Sequence, residues 1–415
     1  MSSPPADPRD VRMRGFPFRV TVEEAQRWVD DQAAPMGSES VPLDEAFGRV
    51  LSADVVATVD VPGFARSAMD GYAVQSGDTV GAGDYSPILL ELVGESYPGR
   101  PCGSAVGPGQ AVRIMTGAPL PQGADAVVPA ETAREAPGGV EIVSPVPSRK
   151  HVGQVGEDVR AGQVILPSGR RLRPQDLGLA AAVGQAALTT RVRPHVRILV
   201  TGEELAEPGG PRGAWQTYEA NSFILRALVQ RDGGLVESIV RLPDDRTQIR
   251  AALLAPGADV LLVSGGSSVG AEDHAPGLIR ELGELPIHGV AMRPSSPAGM
   301  GRIGGVMAFL LPGNPVSCLC AYDFFAGRAI RGLGGRAREW PYRRKSGVLA
   351  RKIASAIGRV DYCRVRATEA GVEPLALSGA SILSSTTRAD GFVVIPALCE
   401  GYDAGVSVDV WRYQD

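Results

Sequence analysis

Lysine is almost missing from this chain of 415 residues: it stands only at positions 150, 345 and 352, against 39 arginines. With alanine and glycine abundant, that ratio reflects a GC-rich coding bias, so an arginine where lysine is usual carries little chemical meaning. Also lacking is any apolar run of the ~18 residues that a membrane-spanning helix needs. Met1-Ser-Ser-Pro-Pro5 has none of the basic-then-apolar pattern of a secretory signal. A soluble, cytoplasmic protein is expected.

Cysteine is scarce and odd in number, with five residues at 102, 318, 320, 363 and 399 and no Cys-x-x-Cys pair. That excludes a disulfide framework and a zinc ribbon and leaves reduced packing residues. The four histidines, 151, 195, 274 and 288, have no metal-ligand spacing. No Gly-x-Ser-x-Gly elbow occurs. The formal charge is −4, so no broad basic surface exists for nucleic acid, and an anionic ligand must be held locally.

What is present exceeds one core, because a domain takes ~100–200 residues. Residues 1–18 read as a loose arm. Thr21-Val-Glu-Glu24 is a capping-box pattern opening an amphipathic helix to about Gln32, and Pro42–Leu51 reads as a second helix. Short Val/Ile/Leu runs between Gly and Pro fill 54–145, the composition of a small β domain. It is inserted in a discontinuous helical domain made of 19–53 and 146–188. From 189 to 337, apolar strands at His195–Val200, Asp259–Val263 and Val306–Leu311 alternate with helices, one of them N-capped by Asn221. This is the pattern of a parallel sheet covered on both faces. Residues 338–415 return to strands and predict a terminal β-barrel-like domain. The fold class expected is multidomain α/β plus β, with a three-layer α/β/α domain.

Ligands of open parallel sheets bind beyond the carboxyl ends of the strands, where loops meet helix N-termini. Three of the predicted strands run into unusual loops: Thr201-Gly202-Glu-Glu204-Leu, Ser264-Gly265-Gly266-Ser267-Ser268-Val-Gly270, and Leu311-Pro312-Gly313-Asn314-Pro315-Val-Ser317. One glycine-rich loop does no more than permit positive φ. Three on one sheet edge point to phosphoryl binding, through backbone N–H groups and hydroxyls. Carboxylates near this rim are Glu203, Glu204, Glu219, Glu272 and Asp273. About half of such acids are solvated or cap helices. Glu204 and Asp273, inside the loops, are the candidates to hold a Mg²⁺ shared with phosphate, which needs only one or two protein carboxylates. Tyr218, Asn221, Arg293, Ser296, Arg364 and Ser381 are further candidate binding residues.

Several motifs together identify a resemblance. They are Ser67-Ala-Met-Asp70-Gly-Tyr-Ala-Val74, Arg113-Ile-Met-Thr116-Gly-Ala-Pro-Leu-Pro-Gln-Gly-Ala-Asp125, Gly156-Glu-Asp158 and the three loops above. In that order, over about residues 20–412, the chain resembles the MoeA and gephyrin E-domain family of molybdopterin molybdenumtransferases. The resemblance implies four domains and an elongated homodimer whose active cleft is shared between subunits. It also implies a reaction in which adenylylated molybdopterin, Mg²⁺ and molybdate give AMP and a molybdenum-loaded dithiolate. Carried over by motif, Asp70, Thr116 and Asp158 line one side of the cleft; Glu204, Glu219, Asp273, Pro312 and Pro315 line the other.

The chain departs from the family's pattern at basic positions. Where Lys-Pro-Gly-Lys-Pro is common, it has Arg293-Pro-Ser-Ser296-Pro297; where Asn-x-Arg is common before Gly-Glu-Asp, it has His151-Val-Gly153. Tyr-Asp-x-Asn becomes Tyr218-Glu-Ala-Asn221, and Arg66 replaces an Asn beside Asp70, restoring a charge. Losing charged hydrogen bonds of ~1.5–3 kcal/mol each would change which anion is held. The alternatives are a paralogue acting on another adenylate- or ATP-derived small molecule, and a gephyrin-like dimeric scaffold.

Overall fold

The computed structural model describes residue 16 and residues 18–266 and 273–413. Helix α1 (Val22–Gln32) opens where the capping box predicts: the Glu24 carboxylate accepts from the Thr21 N–H at 2.8 Å, and the Glu24 N–H donates to the Thr21 hydroxyl at 3.1 Å. Its buried face, Val22, Ala25 and Val29, packs among Leu225, Phe324, Phe325 and Ile330. The helix therefore belongs to a unit formed by residues 1–39 and 191–415. Amphipathic spacing shows that a helix has an apolar face but not which surface receives it.

The other unit spans 40–190. Its mixed sheet comprises β1 (Gly71–Val74), β2 (Ile88–Ser96), β3 (Gln110–Ile114), β4 (Ala126–Pro129), β5 (Ala133–Ala136) and β6 (Gly139–Ile142), in the order β4-β1-β3-β2-β6-β5. Helix α2 (Pro174–Ala182) follows, with Pro at its start and Asp176 anchoring its first turn. The second helix expected over 42–51 is instead a single 3₁₀ turn at Leu43–Glu45. Gly48 (φ +73°) turns the chain, and Gly48, Arg49 and Leu51 exchange backbone hydrogen bonds with Arg170 and Leu172. Tertiary pairing overrides local propensity there.

In the 191–413 segment, β7 (His195–Thr201), α3 (Asn221–Asp232), β8 (Leu235–Leu242), α4 (Arg246–Leu254) and β9 (Val260–Ser264) alternate as expected. After them come α5 (His274–Leu282), β10 (Glu284–His288), β11 (Gly299–Ile303), β12 (Val306–Leu311), α6 (Pro315–Ala321) and α7 (Gly327–Leu333). The sheet order is β8-β7-β9-β12-β11-β10, parallel from β8 to β12 and antiparallel beyond. Strand residues alternate strictly between two cores: Val196, Ile198, Val260, Leu262 and Phe309 face α1, α3 and α7, while Leu199, Leu261, Val263, Ala308 and Leu310 face α4 and α5. That period of two, apolar on both faces, makes the three-layer arrangement.

A last sheet contains β13 (Arg343–Val348), β14 (Val360–Thr368), β15 (Gly371–Ala376), β16 (Gly391–Ile395) and β17 (Ser407–Arg412). It extends in the order β14-β16-β17-β13, with β15 on β14. The pair Met292–Arg293 adds to its edge, with Arg293 in parallel register with Asp361. No helix among the described residues is long and apolar enough to cross a membrane.

Candidate active site

The strands β7, β9 and β12 are neighbours and parallel, so Thr201, Ser264 and Leu311 end on one edge. Glycine allows their loops to close. A Cβ on Gly265 would stand 2.3 Å from the Thr201 carbonyl oxygen, one on Gly266 3.0 Å from Thr201 Oγ1, and one on Gly313 3.6 Å from the Gly265 Cα. Gly265 and Gly266 also lie at φ +92° and +54°, where a side chain is strained.

Asn221 ties the loops together. It is the first residue of α3 rather than its cap, a role that falls to Ala220. Its Nδ2 donates to Ser264 Oγ at 2.8 Å and to the Gly313 carbonyl at 2.7 Å. Its Oδ1 and the Thr201 hydroxyl are buried with no hydrogen-bond partner among the described residues. Buried polar atoms in that state are costly, so both are available to a bound ligand.

A cavity of about 760 Å³ opens over this edge, lined by Thr201, Gly202, Glu204, Tyr218, Glu219, Asn221, Ser264, Gly265, Gly266, Asp273, Pro312, Gly313, Asn314, Pro315 and Ser381. All were expected; Asp244, also in the wall, was not. Ser267, Ser268, Gly270 and Glu272 lie outside the described residues. The described lining contains four carboxylates, Glu204, Glu219, Asp244 and Asp273, and no Arg, Lys or His. Glu219 is buried and engaged, its carboxylate accepting from both the Ser222 N–H (2.7 Å) and hydroxyl. Such a chamber repels a phosphate ester unless a cation is shared with it. Among the described residues no three acids, histidines or cysteines converge to hold a metal unaided. The donor set therefore fits a Mg²⁺ bound by one or two carboxylates and by phosphate oxygens.

A second cavity of about 760 Å³ has the opposite character and shares Pro297, Pro312 and Asn314 with the first. Arg19, Arg293 and Arg359 line it, with Ser295, Ser296 and Ser317. Arg293 donates twice to the fully buried Asp361, through Nε at 3.0 Å and through Nη2. Arg359 Nε lies 3.4 Å from the same carboxylate, which also accepts from Ser355 Oγ at 2.6 Å. Beneath the wall, Arg364 is fully buried, with Nη2 donating to the Ser378 carbonyl and Nε and Nη1 without a partner among the described residues. A guanidinium cannot discharge by losing its proton; buried without an acid, it calls for an anion. Arg19, Arg359 and Asp361 escaped the reading of the sequence. Asp361 and Arg364, charges inside the apolar run 360–365, were the available signal.

The remaining expected residues lie in the 40–190 unit. Gly71 and Ile114 are paired across β1 and β3, which brings Asp70 to Thr116. The carboxylate accepts from the Thr116 N–H at 2.7 Å and from its hydroxyl at 2.8 Å. These bonds, the backbone one first, hold the Asp70 carboxyl below the usual aspartate range. Asp158 is exposed, its backbone N–H fixed on the Val61 carbonyl at 3.1 Å. The cysteines take no part: Cys318 is buried beside Ser264, and burial pushes its thiol up to about 12.

Comparison with known proteins places the chain in a family. Residues 20–184 match the MoeA N-terminal region (domain I and II), 197–331 a probable molybdopterin binding domain, and 346–413 the MoeA C-terminal region (domain IV). Molybdopterin molybdenumtransferase 2 of Mycobacterium tuberculosis is 37% identical over 94% of this chain and 99% of its own. The molybdopterin molybdenumtransferase of Haemophilus influenzae is 30% identical over 94% and 98%. A crystal structure of the molybdopterin biosynthesis MoeA protein from Pyrococcus horikosii superposes with a TM-score of 0.82 at 31% identity, covering 96% of this chain and 100% of that one. Sequence order, fold and relatives agree along nearly the whole length, and the chain belongs to the MoeA family of molybdopterin molybdenumtransferases.

Proposed function

We propose that the protein is a molybdenum cofactor enzyme that takes adenylylated molybdopterin and molybdate and releases AMP as molybdenum passes to the dithiolate. The observation that carries this reading is the pair of adjoining chambers, one lined by four carboxylates and one by three guanidinium groups. A phosphoanhydride and a tetrahedral dianion need opposite surroundings at close quarters, and few substrates other than this pair require both.

In the acidic chamber, Glu204 and Asp273 would hold Mg²⁺, which when bound would supply charge neutralisation for anhydride cleavage. Thr201 Oγ1 donates to the phosphoryl group, and Asn221 Oδ1 accepts from the water that adds to phosphorus. The turn at Gly313 orients it, so that the anhydride bond breaks with AMP as leaving group. In the basic chamber, Arg364, Arg293 and the serine hydroxyls receive molybdate. The reading includes a cytoplasmic homodimer in which Asp70, Thr116 and Asp158 of one copy serve the chambers of the other.

The test is AMP release from adenylylated molybdopterin. Release that requires both molybdate and Mg²⁺ supports the proposal. A folded protein that binds ATP or AMP but never responds to molybdate would overturn it in favour of a paralogue acting on another adenylate.

A further inference from the structure

We infer that Arg19 is a substrate-binding residue: Phe16 and the backbone bridge at Val20 seat it in the wall of the basic chamber, where its charge helps fix the tetrahedral dianion. The inference rests on the reading of that chamber as the molybdate site.

The first observation is the anchoring of this segment. The Val20 N–H donates to the Gly289 carbonyl at 3.2 Å and the Ala291 N–H to the Val20 carbonyl at 2.8 Å, a parallel bridge to Val290. Phe16 meets the His288 ring edge-on, centroids 5.0 Å apart at 85°. Gly289 makes room for it: a Cβ there would lie 2.8 Å from Phe16 Cδ1, at φ +104°. The Arg19 guanidinium sits 6.0 Å from the Phe16 ring centroid, within cation–π range. An exposed arginine is thereby placed beside the turn that carries Arg293.

The second observation is the distribution of charge. Of the three lining guanidinium groups, Arg293 and Arg359 share the single carboxylate of Asp361. Arg19, among the described residues, makes no ion pair. One acid against three cations leaves a surplus of two positive charges, which matches a dianion. Ser296, at the point where the 293–297 turn faces the chamber, brings a hydroxyl and no charge, so Arg19 is the one lining cation outside the Asp361 cluster, and it acts alongside the buried Arg364.

Molybdate binding to the full-length protein, followed by equilibrium dialysis, tests this with R19A, R19K and R364A. Arg19 is exposed, so R19A should melt as the parent does. Expected for R19A is binding weaker by about 5- to 20-fold, the low end of charged hydrogen bonding at an exposed site, largely restored in R19K. KM for molybdate should rise by the same factor, with kcat and KM for adenylylated molybdopterin within about twofold of the parent. R19A binding molybdate like the parent while R364A loses it would overturn the inference and leave the proposed function standing. Loss that R19K does not restore would overturn it too, since charge is the claim. A parent protein that binds no molybdate would sink both together.

Discussion

Arg66 and Gly153 stand directly opposite one another in a two-residue antiparallel pair, and the Arg66 Cγ lies 3.3 Å from where a Cβ on Gly153 would be. The basic side chain absent at 153 is thus present across the ladder at 66. Arg66 leans toward Glu157, Nη2 to Oε1 3.6 Å, with both side chains close to half exposed (45% and 41%). Exposed pairs of that kind are worth little, so Glu157 does not commit the charge.

If Arg66 supplies the charge, moving it back should be tolerated. R66A is expected to lower kcat/KM for adenylylated molybdopterin by about tenfold, one charged hydrogen bond at its weaker end. R66A/G153R should recover most of that. The new side chain meets only the end of Glu157, 2.9 Å from the Cβ position, and Gly153 is not at positive φ. Steady-state kinetics of the two variants decide it; a double variant no better than R66A disproves the exchange.

Asp70 and Thr116 predict a pH effect. Thr116 donors hold the Asp70 carboxyl below its ordinary range, so the carboxylate stays charged as pH falls toward 4. In T116V the hydroxyl is gone and the backbone N–H remains. The Asp70 pKa should rise, and the acid limb of the kcat/KM profile should move to higher pH, with the neutral plateau nearly unchanged. Superimposable profiles would remove Asp70 from the set of groups whose ionisation matters.

Much of this could be read from residues alone, for local reasons. The capping box at Thr21 and the strand runs ending at Thr201, Ser264 and Leu311 are short-range signals, and parallel topology then forces the three loops to one edge. What was not legible depends on distant partners. Nothing near Leu43 shows that 48–51 pair with 170–172, and nothing near Arg19 shows that Val20 docks on Val290. Arg293 was legible as a cation, but its commitment to Asp361, 68 residues on, was not.

Ser295 predicts a compensated strain. It is a non-glycine residue at φ +82°, buried, with its hydroxyl donating to the Ser317 carbonyl at 2.6 Å. The left-handed conformation costs roughly 1–2 kcal/mol, and the hydrogen bond returns about 1 kcal/mol. S295A keeps the strain and loses the bond, so it should be destabilised by about 1–2 kcal/mol. S295G loses both and should lie within about 0.5 kcal/mol of the parent. Urea midpoints of the two variants rank them; equal loss in both would mean the backbone is not strained there.

Asp176 predicts pH-dependent stability in the 40–190 unit. Its buried carboxylate accepts from Arg173 Nε and Nη2, both at 3.1 Å, from Arg170 Nη2 at 2.8 Å and from the Arg173 N–H at 2.9 Å. The Arg173 side chain is the main cause holding its pKa well below normal, against the opposing effect of burial. A depressed folded pKa means stability that is full above the unfolded value near ~3.9 and is lost as pH falls through the folded one. D176A should cost about 2–3 kcal/mol at pH 7, with the gap to the parent closing below pH ~4. A gap that persists in acid would assign the loss to packing.

The acidic chamber makes the most direct prediction, because its sign changes with the metal. Glu204, Glu219, Asp244 and Asp273 line it, with no Arg, Lys or His in its described lining and Arg241 standing 3.8 Å behind Glu219, so phosphate meets net repulsion unless Mg²⁺ is present. In E204Q or D273N the Mg²⁺ concentration for half-maximal AMP release should rise about tenfold, the loss of one carboxylate ligand. Without Mg²⁺ the same variants should bind AMP more tightly than the parent, since each removes a repelling charge from an otherwise intact wall. A structural role for the two acids would weaken binding with and without the metal alike. Calorimetric titration of AMP into parent and D273N, with Mg²⁺ and with EDTA, separates these cases, and weaker binding of the variant in EDTA would show that Asp273 shapes the loop rather than facing the phosphate.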